Sequence, residues 1–395
     1  MTSDPRYALI SYSTINLGDE IQSIAVRQFL PKVDLLVDRD ALNRLPEGAS
    51  GRYKIVLNGW HTRRPENWPP APQFDALAVS LHLSGEVNPA NPTGRRPAEA
   101  LLEGENLDYW RAHAPVGTRD LWTLDLLRAK GIDAYFSACA TLTLGTGAAL
   151  PRHDYICAVD LSEPVLAALK ARARCRVVVT THRDPAPAPF AQRTRRAWRL
   201  LSLYAQARAV VTSRLHCALP CLAFRTPVLL IDAARDAYRF SGLHDLVAHC
   251  APEDFLTGAA AFDPNEPPAN STAYLAYRHA LARTINAFID PANRSDGAPH
   301  PFMPDIDVDN LIDVEEALAE KEAAAVRARG VFRQIFKPGT DFTHYKPADF
   351  LRDVAKVHQQ MGDTSEARRL LEIALAQRPN GAGIKQLLDD LDRDA

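Results

Sequence analysis

Short apolar runs rich in β-branched residues alternate along this chain with segments of helical periodicity, and this alternation limits the folds available to it. One alternating block fills the first 150 residues, and a second begins near Tyr155 and closes near Ile231. Such alternation is typical of βαβ units, in which helices cover both faces of a mainly parallel sheet. The predicted strands are Tyr7–Tyr12, Val33–Val37, Lys54–Asn58, Leu77–Leu81, Ala134–Phe136, Tyr155–Val159 and Arg176–Thr181, and the predicted helices include Glu20–Leu30, Pro97–Arg111, Leu121–Lys130 and Gln192–Gln206.

A chain of 395 residues is too long for one ordinary hydrophobic core. We therefore expect two α/β domains, residues 1–150 and 151–335, followed by a helical tail, residues 345–395. Within the second domain, residues 272–289 and 311–329 have helical periodicity and would cover a sheet. The small residues of the tail have the spacing of a single tetratricopeptide unit. Because one such unit cannot bury both of its faces, the tail should pack on the body, on a second copy or on a partner.

The charge pattern argues against a nucleic-acid partner. Lys and Arg nearly balance Asp and Glu, the formal net charge is −2, and the arginines of residues 193–199 are best explained as a solvated helix face. The N-terminus lacks the basic and apolar regions of a signal peptide, and no stretch reaches the ~18 apolar residues of a membrane span. We therefore expect a cytoplasmic protein without a transmembrane segment.

The six cysteines are scattered through apolar segments, which favours reduced, buried thiols over a disulfide framework. Cys217 and Cys221 lie four residues apart beside His216, so a metal site is an alternative. No second pair of ligands at finger-like spacing accompanies them, and we expect no metal.

The segment Val210–Asp232, VVTSRLHCALPCLAFRTPVLLID, predicts a strand, a turn, a helix and a second strand. Thr212 or Ser213 can cap the helix, and Arg214 and His216 then fall at its first turn. Unpaired N–H groups and the positive end of the helix dipole favour anions at such a turn. We therefore expect Ser213, Arg214 and His216 to bind a phosphate or carboxylate. The alternative is a capped helix start whose arginine pairs with a surface carboxylate.

Polar residues also follow the first predicted strand. Asn16, Gly18 and Asp19 form an Asn-x-Gly-Asp turn, and Gln22 lies one helical turn later. Gly18 permits close approach of the backbone to a ligand, and Asp19 and Gln22 would extend from the first helical turn into a cleft. Helix capping alone is the alternative explanation of this motif.

Two further predicted strands end in polar tips with glycine beside them. Asn58 and His61 follow one strand, and His82 follows the next. Because ligands bind beyond the carboxyl ends of parallel strands, Asn58 is a candidate for substrate binding and the histidines are candidates for proton transfer near neutral pH. The alternative for each histidine is a structural hydrogen bond.

A second arginine precedes the predicted helix Leu121–Lys130. In the sequence Gly117-Thr118-Arg119-Asp120, Thr118 can cap the helix and Asp120 suits its first turn. Arg119 can then reach the strand ends as a second cation, so that Arg119 and Arg214 would clamp one small dianion. The alternative is an ion pair between Arg119 and Asp120.

Together these motifs resemble the polysaccharide pyruvyl transferase family over roughly residues 8–235. The resemblance implies two facing Rossmann-like domains in a GT-B-like arrangement. It implies transfer of pyruvate from phosphoenolpyruvate to sugar hydroxyls as a ketal, without a cofactor. The tetratricopeptide-like tail is not part of the family pattern. The motifs are NLGDEIQ (16–22), GTRDLWTLDLLRAKGIDA (117–134), CATLTL (139–144), THRD (181–184) and the segment 210–232.

The resemblance assigns the contacts with phosphoenolpyruvate to Arg119, Arg214 and His216. We expect phosphate contact or acid catalysis from His216, and activation of the acceptor by Asp19 or His82. Many family members have a glycine-rich turn where this chain has Asn-Gly-Trp-His at 58–61, so the acceptor pocket does not carry over.

Two other functions stay open on the sequence alone. A GT-B glycosyltransferase would place a sugar nucleotide at the same helix N-terminus and would need a carboxylate, such as Glu163 or Asp184, near the ribose. A non-catalytic glycan-binding scaffold would recruit partners, or a second copy, through its tail. Trp60, Trp110 and Trp122 are candidates for stacking on a sugar ring, and a place in the core is the alternative for each.

Overall fold

A computed structural model of the protein describes residues 4–87, 94–147, 149–184, 188–231, 237–301, 303–304, 306–336 and 346–393. Asp232, the last residue of the segment that carries Arg214, lies outside these ranges. The chain forms two compact units, Met1–Glu315 and Glu316–Ala395. The subdivision of the first unit at residue 150 stays a prediction.

The first unit contains two sheets in which every recorded strand pair is parallel. One sheet has the strand order β2-β1-β3-β4-β5-β6 and the other the order β11-β10-β9-β7-β8. The strands are β1 Tyr7–Ser11, β2 Leu35–Asp38, β3 Tyr53–His61, β4 Phe74–Leu83, β5 Val116–Thr118, β6 Ala134–Phe136, β7 Tyr155–Val159, β8 Arg176–Thr180, β9 Ala209–Thr212, β10 Val228–Ile231 and β11 His249–Cys250.

Helices connect most of the strands, as expected for βαβ units. The α/β class is therefore confirmed, together with a helical C-terminal region. The helices are α1 Leu17–Arg27, α2 Pro97–Ala100, α3 Gly104–Ala112, α4 Leu121–Ala129, α5 Glu163–Arg172, α6 Phe190–Gln206, α7 Leu215–Ala223, α8 Ala237–Phe240, α9 Pro252–Thr257, α10 Tyr274–Ile289, α11 Val308–Ile335, α12 Pro347–Gln360, α13 Thr364–Gln377 and α14 Ala382–Arg393.

Each sheet has one place where the strand order reverses. In the first sheet, β1 lies between β2 and β3; in the second, β7 lies between β8 and β9. Connections leave such a strand pair in opposite directions and open a crevice at the carboxyl ends, where ligands bind in open α/β sheets. A ligand site is therefore expected beyond the carboxyl ends of β1, β3, β7 and β9.

Helix α1 joins the two sheets into one core. Its apolar residues, among them Ile21 and Ile24, share a buried cluster with Leu201 of α6 and Leu219 of α7. Each fully buried side chain of this size contributes about 1.5–3 kcal/mol relative to exposure. Residues of α6 and α7, almost 200 positions further along the sequence, thus pack against helix α1.

Polar contacts reinforce this junction. Glu20 of α1 accepts two hydrogen bonds from Arg193 of α6, at 2.7 and 2.8 Å, and both side chains are buried. The loop after β1 also pairs with the loop after β8, because the Leu17 N–H donates to the His182 carbonyl and the Asp184 N–H to the Ile15 carbonyl. The two loops therefore form one hydrogen-bonded seam, residues 15–17 with residues 182–184.

Helix capping differs from the sequence prediction at two positions. Asp120, not Thr118, caps α4, because its Oδ1 accepts from the Thr123 N–H at 2.8 Å. Neither Thr212 nor Ser213 caps α7: the N-cap position is held by Arg214, and the Ser213 hydroxyl donates to the Asp160 carbonyl. The prediction was wrong because both helices begin later than the first residue able to cap them.

Other differences concern boundaries. The helix predicted over Pro97–Arg111 is two helices, since Gly104 has a φ of +53°, a left-handed conformation that glycine tolerates and a continuous helix does not. Two short strands, Val116–Thr118 and His249–Cys250, were not predicted. The helix predicted over Leu311–Arg329 extends over Val308–Ile335.

The second unit is helical. Helices α12 and α13 pack against each other around Ala355, Ala367 and Leu371, with Ile384 and Leu391 of α14 in the same buried cluster. The small side chains of Ala355 and Ala367 at this contact let α12 and α13 approach closely. The likeness to a tetratricopeptide unit stays a prediction.

None of the described helices combines the length and the apolar composition needed to cross a bilayer.

Candidate functional site

A cavity of about 230 Å³ lies at the carboxyl ends of strands from both sheets. Its lining residues follow β1, β3, β4 and β5 in the first sheet and β8, β9 and β10 in the second. Four of them are arginines and two are carboxylates, so the cavity is cationic. The lining residues are Thr14, Asn16, Asp19, Trp60, Arg63, Glu86, Arg119, His182, Ser213, Arg214, Leu215, His216, Tyr238, Arg239 and Phe240.

Arg119 lies at the floor of this cavity with part of its charge unmatched. Its side chain is 1% exposed, and neither Nε nor Nη2 has a hydrogen-bond partner among the described residues. The nearest recorded carboxylate oxygen, Oδ2 of Asp120, is 3.8 Å from Nε. Burial lowers the pKa of Arg119, but an arginine stays protonated in proteins. A buried guanidinium with two unsatisfied donors is the arrangement that an anionic ligand completes.

Arg214, another lining residue of the cavity, is held in place by a carboxylate. Its Nε donates to Oδ2 of Asp160 at 2.7 Å, and 34% of its side chain stays exposed. Burial alone would raise the pKa of Asp160, but hydrogen bonds from Thr181 and Arg214 lower it. The carboxyl group of Asp160 is therefore ionised. This ion pair fixes the Nε end of the Arg214 guanidinium. The two terminal nitrogens, Nη1 and Nη2, have no recorded hydrogen bond among the described residues.

His216 is half-buried, and its Nε2 atom is shielded from solvent without a hydrogen-bond partner in the described part of the chain. Burial and the nearby charge of Arg119 lower the pKa of His216 well below its ordinary value. The imidazole is therefore neutral at pH 7 in the free protein. A bound dianion would oppose the charge of Arg119 and favour the protonated form.

His182 is a cavity residue that was not predicted from the sequence. It is 1% exposed, its Nε2 lies 2.8 Å from the Tyr204 hydroxyl, and burial lowers its pKa to about 4. Gly18 separates it from His216, since a Cβ on Gly18 would lie 3.1 Å from the Nδ1 atom of each imidazole. The close backbone approach expected of Gly18 is therefore toward two histidines.

Asp19 lines the cavity and belongs to a polar network. Its Oδ2 accepts from the Thr14 hydroxyl at 2.7 Å and lies 3.9 Å from Nη1 of Arg39, and its Oδ1 accepts from Gln22 at 3.4 Å. Asn16 also lines the cavity, and its side chain caps α1 by accepting from the Gly18 N–H. Asn16 therefore caps helix α1 and lines the cavity as well.

The structure does not bring four of the predicted residues to the cavity wall. Gln22 is buried beneath Asp19, and its backbone carbonyl accepts from the side chain of Asn58 at 3.2 Å. His61 is fully buried against Trp68, with its Nδ1 near the Gly59 carbonyl. The contact between Asn58 and Gln22 connects β3 to α1 behind the cavity wall.

His82, the fourth of these residues, lies behind the wall in a buried dyad. Its Nδ1 is 2.7 Å from Oδ2 of Asp120, and burial together with Arg119 lowers its pKa to about 4. Burial alone would raise the pKa of Asp120, but the hydrogen bond from His82, the charge of Arg119 and the hydrogen bond from the Thr123 N–H together lower it, so Asp120 stays ionised. Asp120 thus connects His82 to Arg119.

The features proposed for the other functions are placed away from the cavity. Glu163 is exposed at the start of α5, and Asp184 is buried between Arg193 and Arg196. Among the described residues, no group of three or more His, Cys, Asp or Glu side chains could hold a metal ion, so Cys217, Cys221 and His216 do not form such a group.

Asp160 is the second site residue that the sequence analysis missed. It directly follows β7 and has a φ of +51°, a left-handed conformation uncommon outside glycine. A carboxylate placed directly after an apolar strand is a usable signal, and the same is true of His182 after β8. Asp160 and His182 thus follow apolar strands, as do the residues that the sequence made candidates for the site.

One comparison with known proteins covers part of the chain that forms this cavity. Residues 107–234 match the model of the polysaccharide pyruvyl transferase family. The match confirms the resemblance for this segment, which contains Arg119, Asp160, His182, Arg214 and His216. It supports a pyruvyl transferase role in polysaccharide biosynthesis.

The match does not extend to the cavity residues that follow β1, β3 and β4. No curated protein matches the sequence significantly. The cationic floor of the site is therefore the part to which the family relationship applies.

Proposed function

We propose that the protein transfers pyruvate from phosphoenolpyruvate to two hydroxyls of a sugar acceptor, forming a cyclic ketal in the biosynthesis of a cell-surface or extracellular polysaccharide. The observation that carries this proposal is the buried Arg119, whose unsatisfied guanidinium faces a cavity that also holds Arg214 and His216. The proposal includes a GT-B-like arrangement of the two sheets, with the donor between them.

Phosphoenolpyruvate has a phosphate and a carboxylate on one small alkene, and it needs two fixed cations. Arg119 and Arg214 supply them without a metal, and the N-terminus of α7 adds a positive dipole beside Arg214. A hydrogen bond to a charged group contributes about 1.5–3 kcal/mol. The gain is largest at Arg119, because the fold itself buries its donors without giving two of them a partner among the described residues.

The size of the cavity favours this donor over a sugar nucleotide. Pockets that enclose drug-sized ligands have volumes of roughly 300–1,000 Å³. The present cavity is smaller, at about 230 Å³. It suits a ligand of the size of phosphoenolpyruvate better than a nucleoside diphosphate with a sugar attached.

Ketal formation requires an acid and a base at one carbon. A proton is added to the methylene carbon C3, and the positive charge that develops at C2 is attacked by an acceptor hydroxyl, which loses its proton to a base. The C2–O bond to phosphate then breaks, with the electron pair leaving on phosphate. A second hydroxyl attacks C2 and closes the ring. Of the two acceptor protons released, one replaces the proton used at C3 and the other leaves with phosphate.

The residues of the cavity divide these tasks by position. His216, which takes up a proton when the dianion binds, supplies the acid or contacts the phosphate, and Arg119 and Arg214 stabilise the departing charge. Asp19 is the base for the acceptor, since it lines the cavity and His82 does not. His82 acts behind the wall, where its hydrogen bond keeps Asp120 beside Arg119.

A thermal-shift comparison of phosphoenolpyruvate with a panel of sugar nucleotides tests the proposal, because a ligand of the native state raises its melting temperature. We expect stabilisation by phosphoenolpyruvate that is lost in Arg119→Met, Arg214→Ala and His216→Ala. The matched control is Arg208→Ala, which removes an exposed arginine paired with Asp154. Stabilisation by a sugar nucleotide alone, or wild-type turnover in the Arg214 variant, would refute pyruvyl transfer.

A further inference from the structure

A half-buried tryptophan, Trp60, forms part of the cavity wall at the end of β3. The other two tryptophans considered for sugar stacking do not line the cavity. Trp110 is fully buried and stacks on Trp68, with ring centroids 4.8 Å apart. Trp122 packs edge-on against Tyr238. Of these three tryptophans, Trp60 is therefore the one that lines the cavity.

One face of the Trp60 indole is covered by Arg39. The guanidinium carbon lies 4.5 Å from the ring centroid, and the Arg39 side chain is fully buried. Its Nη2 is 2.9 Å from Oδ2 of Asp40, and its Nη1 is 3.9 Å from Oδ2 of Asp19. One immobile cation thus contacts both the aromatic ring and the carboxylate that borders the cavity.

Burial orders the groups of the cavity by depth. Arg119 and His182 are each 1% exposed and form the floor, whereas Trp60 and Arg63 are half-buried and Glu86 is exposed. The donor cation Arg119 therefore lies deep in the site, and the aromatic ring lies with Arg63 and Glu86 toward solvent. A second substrate would enter on the side of Trp60, after the donor.

We infer that Trp60 is the platform on which the acceptor stacks, and that Arg39 positions this platform relative to Asp19. The inference rests on the proposed function and names the acceptor class as a hexopyranoside. Such a ring has a face of C–H groups, which suits stacking on an indole, and an edge of hydroxyls. Polar groups for these hydroxyls line the same cavity as Trp60, namely Asp19, Arg63 and Glu86.

The test separates acceptor binding from donor binding. Saturation-transfer NMR with methyl hexopyranosides of the galacto, gluco and manno series measures acceptor affinity, and calorimetry with phosphoenolpyruvate measures donor affinity. For Trp60→Ala we expect at least tenfold weaker pyranoside binding, with donor affinity unchanged within threefold. Trp60→Phe should retain most of the pyranoside affinity because a ring remains. The matched control is Trp122→Phe, which alters an aromatic side chain that does not line the cavity.

Arg39 is tested as a positioning residue by Arg39→Lys, which keeps the charge and removes the planar guanidinium. We expect a raised acceptor KM and a lowered kcat at unchanged donor affinity, with the melting curve as a check of folding. A variant that loses fold and donor binding together would show a merely structural role.

The possible results are distinct. Pyranoside affinity that is unchanged in Trp60→Ala overturns the platform, and so does a wild-type protein that binds phosphoenolpyruvate but none of the pyranosides. A wild-type protein without affinity for phosphoenolpyruvate refutes the proposed function instead. Pyranoside binding that depends on Trp60 would then stand as glycan binding by the same surface.

Discussion

Gly18, at the start of α1, lies directly against His216 of α7: a Cβ on Gly18 would stand 3.1 Å from the imidazole Nδ1. The Nδ1 of His182 is equally close, and Oδ1 of Asn16 is at 3.2 Å. Contacts of this length leave no room for a side chain unless the neighbours move by a few tenths of an ångström. The helix start therefore depends on glycine for the placement of two imidazoles, and not for its own backbone conformation.

Gly18→Ala should separate stability from activity. Alanine favours a helix over glycine by about 1 kcal/mol, which offsets part of the packing strain, so we expect a melting temperature within a few degrees of wild type. The displaced imidazoles should lower turnover at least tenfold. The matched control is Gly383→Ala in α14, where a Cβ meets nothing within 4 Å. Wild-type turnover in Gly18→Ala would show that these imidazoles need no fixed position.

Binding of phosphoenolpyruvate should be linked to proton uptake by His216. In the free protein the pKa of His216 is well below the ordinary value, and a bound dianion raises it, so the complex binds more protons than the free protein. Affinity should therefore weaken as pH rises from 7 to 8.5, a window above the second pKa of a phosphate monoester, near 6.

Calorimetry in two buffers of different ionisation enthalpy measures this uptake directly, and we expect up to one proton per site. His216→Asn should abolish it, whereas His153→Asn, at a partly exposed histidine outside the cavity, should not. Binding without proton exchange in the wild type would contradict the assignment of His216 as the acid.

The protein should lose stability in mild acid through three buried histidines. Burial lowers the pKa of His61 to about 3, and those of His82 and His182 to about 4. These groups stay neutral in the folded state, while the unfolded chain takes up protons below about pH 6.5. The free energy of unfolding should therefore fall as pH decreases from 6.5 toward 4.

Below pH 6.5 each histidine should lower the free energy of unfolding by about 1.4 kcal/mol per pH unit. Urea denaturation at pH 7.5, 6.5, 5.5 and 5.0 measures this slope, and His61→Asn should reduce it by about 1.4 kcal/mol per pH unit, the share of one histidine. A flat profile over this range would show that these imidazoles are protonated in the folded state.

The ion pair between Glu20 and Arg193 should respond asymmetrically to substitution. Arg193 also lies 3.7 Å from Oδ2 of Asp184, so Arg193→Met leaves the buried Glu20 without its cation and weakens the pairing of Asp184. Removing one partner of a buried pair costs about 3–5 kcal/mol. Glu20→Gln should cost less, because Asp184 still faces the arginine. Equal losses in chemical denaturation would contradict this asymmetry.

The tail should be dispensable for chemistry and needed for assembly. Every lining residue of the cavity belongs to the unit Met1–Glu315, whereas the second unit exposes Phe350, Met361 and Ile373. Deletion of residues 346–395 should leave turnover on a soluble acceptor within about threefold and change the mass seen by light scattering or the set of co-purifying proteins. Complete loss of turnover at unchanged mass would make the tail part of the catalytic body.

The fold class was predictable because most strands have a local signature, an apolar β-branched run next to a helical pattern; β5 and β11, with three and two residues, are too short to show one. The same reasoning predicted that polar residues after β1 and β9 meet Arg119, which precedes α4, and Asp19, Arg119 and Arg214 do line one cavity. Parallel strands end at the same edge of a sheet, so a local pattern suffices for this inference.

The placement of His61 and His82 was not predictable in this way. Successive side chains of a strand point to opposite faces, so Trp60 and His61 cannot both face the site. In β4 an extra residue interrupts the register, since Leu57 pairs with Ala78 but Gly59 pairs with Leu81. A bulge of this kind depends on the partner strand, and no local sequence pattern reveals it.

The bulge in β4 and the tip of β3 lie outside the segment that matches the pyruvyl transferase family, whereas Arg119 and Arg214 lie inside it. For the proposed reaction, donor and acceptor are thus bound by different stretches of chain, which meet only in the folded protein. Acceptor preference can then be redesigned by exchanging Trp60 and the loops after β3 and β4 while His82 is kept. The donor chemistry would be retained, because Arg119, Arg214 and His216 and the supporting pair of His82 and Asp120 lie outside the exchanged residues.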